Sequence, residues 1–442
     1  MRRYALLRRP YGPLRVWLPA ARARLSWQVL PHGILVMRQI ADPRTLVQSS
    51  RCASLTRIAA VTARGLQGFA VNLDKDWRMG SHGMQTDIVT IDGIGAPERQ
   101  AWNDFRSQTP SLASPYFSLA FTEVMARRRS DTRIAILHRN GTIDGFLPLH
   151  LSRSGVARPI GGPLGDHHGL ITSTPDLDVE AALAGTGFGL FAYHGALADQ
   201  ASFARSSSGP AEISWVSDLS GGYESFLDDC AREDAKAMRN IRARQRKLAE
   251  MGDDVVFRID DRRPDAFRAV IETKREQYRR TKALDVFAAG WARQAIEDLF
   301  DSDMPELSGM LSTVEINGRL AAAHFGMRSE RVLHYWFPVY WPEFSKLGPG
   351  LTLYLEIARH LETQGVDQIH LGPGDYDFKR RLSNAGFGVV TGRLERPSIA
   401  HALVQTGQMI DGLAQALPLG RVSNWPAKAF RRLDKWAAVH AF

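Results

Sequence analysis

The alternation of apolar and polar residues predicts two β-hairpins, one in each half of the chain. The first covers residues 133–150 and turns at Asn140–Gly141, and the second covers residues 310–327 and turns at Asn317–Gly318. Asn-Gly accepts the positive φ angles that a two-residue hairpin turn requires. The two turns are 177 residues apart, and a repeat on that scale indicates two copies of a domain.

Helical periodicity and turn residues supply the other predicted elements. Before the first hairpin the pattern predicts a strand and two helices, at 88–92, 96–108 and 114–129. Between the hairpins it predicts two further helices, at 223–251 and 265–280. After the second hairpin it predicts a strand, a turn, a helix ended by Gly365, a strand, a short helix and a last strand, beginning at 331, 345, 351, 368, 375 and 387.

The positive charge of the chain is concentrated at its start. The formal net charge is +9, yet residues 1–83 hold 14 of the 56 basic residues and only three of the 47 acidic ones. The remaining residues carry a net charge of −2, which does not favour a nucleic-acid-binding fold. We expect residues 1–83 to be a basic leader, either disordered or upstream of a mis-assigned start, with a transit peptide as the alternative.

Two further observations bear on the compartment. Cys52 and Cys230 have neither metal-type spacing nor the number needed for a disulfide framework. The uncharged run at 181–198 contains four glycines and a histidine, which favours a helix end, a turn and a buried strand over a transmembrane span. We therefore expect a cytoplasmic protein with no transmembrane segment.

The second half contains HYWFPVYWPEFSKLGPGLTLYLEIAR at 334–359 and IHLGPGDYDFKRRLS at 369–383. With the order of the elements, these residues resemble the FemAB/CelD-like branch of the GNAT acyltransferases, over about residues 95–395. The resemblance implies an α/β (α+β) fold of tandem GNAT-like halves, each a mixed, mostly antiparallel twisted sheet flanked by helices. The expected parts are a degenerate N-terminal half, a GNAT acyltransferase domain and a helical tail, at 84–215, 216–395 and 396–442.

Gly348-Pro349-Gly350 joins a strand to a helix, and a helix N-terminus suits a pyrophosphate because its N–H groups are free. In GNAT proteins this turn holds coenzyme A through a pattern of Gln or Arg, two residues, Gly, one residue and Gly. Here Ser345 takes the first position and Pro349 lacks an N–H, so Lys346 is the candidate for the missing charge. A plain strand–turn–helix connection is the alternative. The predicted cofactor-binding residues are Lys346, Gly348, Gly350 and Leu351.

Direct acyl transfer needs a base for the acceptor amine, donors for the oxyanion and an acid for the thiolate. His334 is the first candidate for the base because imidazole titrates near neutral pH. Adjacent strand residues point to opposite faces, so only one of His334 and Tyr335 can face the site. In the GDYDFK segment, Asp375 could orient or deprotonate the acceptor and Tyr376 could protonate the thiolate, although Asp is also a common helix cap. The predicted substrate-binding residues are His324, Lys274, Tyr278, Gly374 and Lys379.

A basic run and a histidine pair give two weaker signals. The run could contact an acidic acceptor or tRNA, although such runs are usually solvated; its members are Arg239, Arg242, Arg244, Arg246 and Lys247. His167 and His168 are adjacent, which is not a spacing that shares one ion, and no third ligand is evident. We therefore expect no metal.

The sequence thus predicts an N-acyltransferase that uses acetyl-CoA or another acyl-CoA as its co-substrate. Its expected partner is a small-molecule or glycan-precursor acceptor, such as an amino sugar or a cell-envelope or exopolysaccharide precursor, and not DNA. Two alternatives remain open. One is a FemAB-like transferase that uses aminoacyl-tRNA, which predicts steep salt dependence. The other is a non-catalytic accessory protein of polysaccharide biosynthesis.

Overall fold

The computed structural model describes residues 25–29, 35–39, 84–184 and 186–395. The chain separates into two compact units, Met1–Gly80 and Ser81–Phe442. In the first unit, β1 (Leu25–Val29) and β2 (Leu35–Gln39) pair as an antiparallel hairpin. The predicted helical tail at 396–442 lies outside the described residues, and the leader and the domain boundaries stay predictions.

The second unit begins with two helices packed beside a group of strands. Their bounds are β3 (Met84–Val89), α1 (Ala96–Gln108), α2 (Leu119–Arg128), β4 (Thr132–Arg139), β5 (Thr142–Leu151), β6 (Val156–Pro159), α3 (Val179–Ala182), β7 (Leu190–Leu197), α4 (Ala201–Arg205) and β8 (Glu212–Asp218). The first hairpin is confirmed: Asn140 and Gly141 have φ angles of 52° and 81°, which a two-residue turn with positive φ at both positions requires.

The later part of the unit repeats the hairpin and adds longer helices. Its elements are α5 (Tyr223–Glu233), α6 (Ala235–Ala249), β9 (Val255–Arg258), α7 (Pro264–Thr281), α8 (Gly290–Phe300), β10 (Asp303–Met304), β11 (Leu307–Ile316), β12 (Arg319–Arg328), β13 (Val332–Tyr340), α9 (Pro349–Thr363), β14 (Gln368–Pro373), α10 (Asp377–Arg381) and β15 (Ala385–Glu395). Asn317 and Gly318 have φ angles of 51° and 71°, so the second hairpin is confirmed as well.

The single long helix predicted over 223–251 is wrong, because the chain breaks at Asp234. The backbone of Asp234 leaves the helical region, with φ of −143° and ψ of 78°. Its carboxylate accepts a hydrogen bond from the N–H of Ala237 at 2.8 Å, so it caps the second helix. The sequence therefore contains a signal for a helix start, the capping residue Asp234, although the pattern of charged residues continues on both sides of it.

All strands of the second unit except the short β9 follow one path in a 13-stranded sheet. The order is β10-β11-β12-β13-β14-β8-β15-β7-β6-β5-β4-β3, and β9 pairs with β11. The path is symmetrical about its centre. Counted inwards from either end, the edge strand is followed by a hairpin, then by a parallel pair, and then by one strand that comes from the other half of the chain. Thus β8 follows β7 in sequence but pairs with β14, while β15 follows β14 but pairs with β7. The predicted mixed, mostly antiparallel sheet flanked by helices is confirmed.

Helices cover both faces of the later half of this sheet. On one face α2, α7 and α8 bury side chains such as Phe121, Phe267 and Ile296 against the sheet. On the other face α5, α6 and α9 bury Phe226, Ile241 and Leu353. Burying side chains of this size stabilises the fold by roughly 1.5–3 kcal/mol each. The two cores fix both sides of β13 and β14. Within the described residues, no helix combines the length and apolar character needed to cross a membrane.

A buried cluster of polar side chains joins the connection between α2 and β4 to strand β5. Arg129 donates to both carboxylate oxygens of Asp131, at 2.9 and 2.6 Å. His150 lies 3.4 Å from the same carboxylate through Nδ1, and its Nε2 accepts the N–H of Gly161 at 3.0 Å. Burial is the main cause that lowers the pKa of His150 to about 4. The charge of Arg129 lowers this pKa as well, whereas the Asp131 carboxylate raises it.

His150 should make the protein less stable in mild acid. Its pKa falls on folding, so the unfolded chain binds the proton first and stability is lost as the pH drops from about 6.5 towards 4. We expect this residue to remove about 2–3 kcal/mol of the free energy of unfolding between pH 7 and pH 4.5. Urea titrations at both pH values measure it. A His150→Gln variant should show a correspondingly smaller pH difference, and an equal difference would contradict the assignment.

Candidate active site

β13 and β14 run parallel and then separate. Their Cα register contains only three pairs, which end at His334 opposite His370. Beyond that point β13 continues alongside β12, and β14 continues alongside β8. The carboxyl ends of parallel strands share one edge of a sheet, and α9 begins on that side because it follows β13. The gap between the strands therefore opens towards the N-terminus of α9.

A carboxylate from the first half of the chain lies at the base of this gap. Asp166 Oδ2 is 3.0 Å from Nε2 of His334. The His334 side chain has no exposed surface, whereas 40% of the Asp166 side chain is accessible. Gly372 permits this approach, because a Cβ at its position would lie 2.6 Å from Asp166 Oδ2. A solvent-facing carboxylate is thus held by a buried imidazole.

Asp166 is held in its ionised form. Burial alone would raise its pKa, but the hydrogen bond from His334 and the positive charge of Lys379 outweigh it and lower the pKa. Lys379 is itself almost buried and donates to the carbonyl oxygens of Gly372 and Pro373, at 3.2 and 2.6 Å. The ammonium group therefore fixes the end of β14 and contributes positive charge near the carboxylate.

Aromatic and basic side chains surround Asp166. The ring of Tyr116 lies 4.8 Å from that of His334 and 6.0 Å from that of Trp336, centroid to centroid. Lys274, on α7, donates to the carbonyl of Pro338 at 3.4 Å, and burial lowers its pKa to about 8. Burial, followed by the charges of Asp285 and Asp166, raises the pKa of Tyr278. Lys274 and Tyr278, both predicted to bind substrate, therefore line the same region.

The predicted phosphate site has an N-cap glycine with φ of 64° at Gly348. An Arg244 side chain from α6 covers this glycine: a Cβ there would lie 2.6 Å from Cδ of Arg244 and 2.7 Å from Nη1. A Cβ on Gly350 would meet nothing within 4 Å. Lys346 is exposed, and Leu351 packs partly against the core formed with α5 and α6. The charge expected from Lys346 is thus provided beside the turn by Arg244.

Two predicted residues lie on the opposite side of the sheet from His334, Tyr335 on β13 and His324 on β12. Tyr335 is buried in the core with α9, where its ring stacks on that of His324 at 3.8 Å and meets Tyr354 at 5.0 Å. His324 is fully buried, and its Nε2 accepts the N–H of Trp336 at 3.2 Å. Of the two alternatives His334 and Tyr335, strand alternation directs Tyr335 into the core, and the predicted substrate-binding residue His324 lies against it there.

The GDYDFK segment also divides. Asp375 is largely exposed and pairs with Arg380, and Tyr376 is 60% exposed. Gly374 has φ of 104° and accepts a hydrogen bond from Trp215 Nε1 at 3.1 Å. The structure places both Asp375 and Tyr376 on the surface beyond the end of β14, and the Tyr376 ring lies 5.4 Å from Nζ of Lys379. Lys379 contributes charge to the Asp166 region.

The sequence did not single out Asp166 as a site residue. The available signal was the Gly-rich stretch at 159–169, in which Asp166 and two histidines interrupt apolar residues. The two histidines diverge: His168 packs 5.4 Å from Phe191, while His167 lies 5.3 Å from His334. Only the fold shows that this stretch reaches the gap of the other half.

The first half has a corresponding parallel pair without this chemistry. With the 177-residue offset, Ala157 is the position equivalent to His334, and it pairs with Phe191 as His334 pairs with His370. An isolated bridge between His168 and Ala196 fills the space beyond this pair. The first half therefore supplies Asp166 to the site but has no open gap of its own.

Comparison with protein families decides the type of domain. Residues 235–380 match the family model described as Acetyltransferase (GNAT) domain. The chain carries a GNAT acetyltransferase domain. The matched residues include β13, the Gly turn, α9, β14 and α10, so the GNAT domain holds most of the site, and the protein is an acyltransferase. No curated protein sequence matches the chain significantly.

Solved structures share this architecture at low sequence identity. A tandem GNAT protein from the clavulanic acid biosynthesis pathway is 14% identical, covering 71% of this chain and 99% of that one, with a TM-score of 0.43. FemX is 9% identical over 65% and 93%, with a TM-score of 0.45. The C-terminal domain of a putative lysylphosphatidylglycerol synthetase from Agrobacterium fabrum is 13% identical over 71% and 96%, with a TM-score of 0.42.

Proposed function

We propose that the protein is an acyl-CoA-dependent N-acyltransferase that transfers the acyl group directly to an amine. The observation that carries the proposal is the gap between β13 and β14, with the ionised Asp166 at its base and the N-terminus of α9 at its opening. A thioester held at α9 would reach an amine held at Asp166. Acetyl-CoA or another acyl-CoA is the proposed donor.

The residues of the Gly turn fit a pyrophosphate. The first N–H groups of a helix have no partner within the helix, and those of Gly350 and Leu351 belong to the first turn of α9. The space in front of Gly350 is open, and the guanidinium of Arg244 lies beside Gly348. Arginine suits phosphate because its planar group donates two parallel hydrogen bonds. These groups would hold the donor, whose thioester supplies the acyl group.

Proton transfer is assigned to the Asp166–His334 pair. Asp166 is the exposed member and accepts the proton that the amine loses as it forms the new C–N bond. His334 donates its Nε2–H to the carboxylate and so holds it in place. Backbone N–H groups of β13 beyond His334, where the strand has left β14, are the proposed donors to the oxyanion. The C–S bond then breaks and coenzyme A leaves as the thiol.

The proposed acceptor is an amino sugar or another amine-bearing precursor of the cell envelope or an exopolysaccharide. Tyr278 and Trp336 are half-buried aromatic residues of this region, and aromatic surfaces suit the apolar faces of sugar rings. The choice among amines rests on the fold-level resemblance. An acyl-CoA donor agrees with the cytoplasmic location expected from the sequence.

Transfer from aminoacyl-tRNA is the second candidate. It is favoured by the basic residues of α6, none of which pairs with a carboxylate among the described residues: Arg239, Arg242, Arg244, Arg246 and Lys247. Binding through such residues would weaken steeply with salt. The two candidates differ in the donor, so a donor-binding measurement separates them.

Calorimetric titration of the full chain with acetyl-CoA tests the proposal. We expect saturable binding that a Gly350→Trp variant loses, because the indole would fill the open space in front of the turn. Gly290→Trp is a matched control, since Gly290 begins α8 and also has open space around it. Absence of binding in folded wild-type protein would reject the acyl-CoA proposal. Titration with aminoacyl-tRNA would then separate the second candidate from a non-catalytic role.

A further inference from the structure

Three histidines from distant parts of the chain meet behind Asp166. His167 comes from the loop after β6, His334 from β13 and His370 from β14. One imidazole nitrogen from each lies within 4.8 Å of those of the other two. Their exposed fractions are 2%, 0% and 4%, so the cluster is closed to solvent.

The hydrogen bonds of two of these rings fix where their protons lie. His334 faces the Asp166 carboxylate through Nε2 at 3.0 Å, and His370 faces Gln368 Oε1 through Nε2 at 2.9 Å. Both partners are acceptors, so each Nε2 carries the hydrogen in a neutral ring. Each Nδ1 is then a lone pair, and both Nδ1 atoms are buried without a hydrogen-bond partner among the described residues.

The third ring completes the set. His167 lies 2.7 Å from the Ser214 hydroxyl through Nε2 and 3.4 Å from the Ser114 hydroxyl through Nδ1. Both nitrogens of His167 have a hydroxyl partner, so His167 would bind an ion by giving up the longer contact, to Ser114, and presenting that lone pair. Buried polar atoms normally have partners, and the two unpartnered Nδ1 atoms of His334 and His370 require an explanation.

We propose that His167, His334 and His370 bind one divalent transition-metal ion, with zinc the best match. Zinc prefers neutral imidazole nitrogens, and its usual distance to them is about 2.0–2.1 Å. Tetrahedral ligands at that distance lie about 3.4 Å apart, so the three rings close by small rotations from their present spacing. The second nitrogen of a metal-bound histidine usually donates to a carboxylate or carbonyl, as those of His334 and His370 do here.

The ion would have a structural and a positioning role. It would join the loop of the first half to β13 and β14 just where these strands separate. It would also strengthen the hydrogen bond from His334 to Asp166, because a bound cation makes the remaining N–H of the imidazole a better donor. No acceptor or donor molecule has to reach the ion, which fits a cluster without exposed surface.

Metal analysis of the full chain tests the proposal. The protein is purified without a histidine tag, incubated with zinc chloride and dialysed, and its zinc content is measured by mass spectrometry. We expect about one zinc per chain, and a lower melting temperature after treatment with a chelator. A His370→Phe variant should bind less than about a tenth of an equivalent, since the ring keeps its place beside Phe387 but offers no lone pair.

His168→Phe is the matched control. His168 is equally buried, is adjacent to His167 and has an Nε2 without a partner among the described residues, but its ring lies among Phe191 and Phe203. This variant should keep the full zinc content. Wild-type protein without stoichiometric zinc, or equal loss in both variants, would overturn the proposal. If His370→Phe does not fold, cobalt-loaded wild type decides by the visible absorption of a tetrahedral ion. Neither readout depends on acyl transfer, so the result is independent of the proposed function.

Discussion

An Asp166→Asn variant is expected to lose about 10²–10⁴-fold in kcat for acyl transfer, the range that a positioned acid–base group contributes. The amide has the size and shape of the carboxylate, and it can still accept a hydrogen bond from His334. It cannot accept the proton that leaves the acceptor amine. Steady-state kinetics at saturating acetyl-CoA measure the change in kcat, and calorimetry should show donor affinity within about twofold of the wild type.

The control for this variant is Asp144→Asn. Asp144 is also partly buried, and it pairs with Arg139 at 2.7 Å, but it lies in the first hairpin. We expect it to keep the wild-type kcat. If Asp166→Asn kept more than about a tenth of the wild-type kcat, Asp166 would not be the proton acceptor. His334, the base candidate from the sequence, would then be the remaining candidate for the proton acceptor.

Arg244→Ala should weaken acetyl-CoA binding by about 10–100-fold, as expected for loss of a charge-assisted hydrogen bond to phosphate worth about 1.5–3 kcal/mol. The side chain crosses Gly348, where the first position of the family's phosphate pattern is a serine. We expect calorimetry to show the loss, and 3′-dephospho-coenzyme A to show the same loss if the contact is to the pyrophosphate. Arg244→Lys should recover part of the affinity, because it keeps the charge without the fork.

Arg239→Ala is the matched control for the helix. Arg239 is exposed on α6 and five residues away, so it points to a different face. Its loss should change acetyl-CoA affinity by less than about twofold. Equal losses in the two variants would mean that the whole helix attracts the donor by charge and that Arg244 makes no specific contact.

Local signals were enough to predict the hairpins and the helix after the Gly turn, and to show that His334 and Tyr335 face opposite sides. Asn-Gly turns, the Leu353–Ile357–Leu361 spacing and strand alternation depend on residues close in sequence. For the same reason Tyr335 could be recognised as the alternative to His334. The break at Asp234 depends on one cap within a continuous charge pattern, and the prediction of a single helix failed there.

The distant partners of His334 and of Gly348 could not be predicted in the same way. Asp166 is 168 residues from His334 in sequence, and Arg244 is about a hundred residues from Gly348. Both contacts depend on how the strands and helices pack, and no spacing rule encodes that. Conversely, Asp375 and Tyr376 have suitable chemistry close to the site in sequence. The end of β14 carries them to the surface because the chain turns into α10 there.

The crossing of β8 and β15 has a consequence for how such a chain can change over generations. Each half gives its last strand to the other, and β8 and β15 pair with each other at the centre. A half cut out at the middle of the chain would keep a last strand that pairs with the strands of the other half. The parallel strand beside which that other strand normally lies would be left unpaired on one edge. The two halves are therefore not modules that recombination can exchange. If the halves arose by duplication, they could only diverge together, one keeping the gap between its parallel strands and the other contributing Asp166 to that gap.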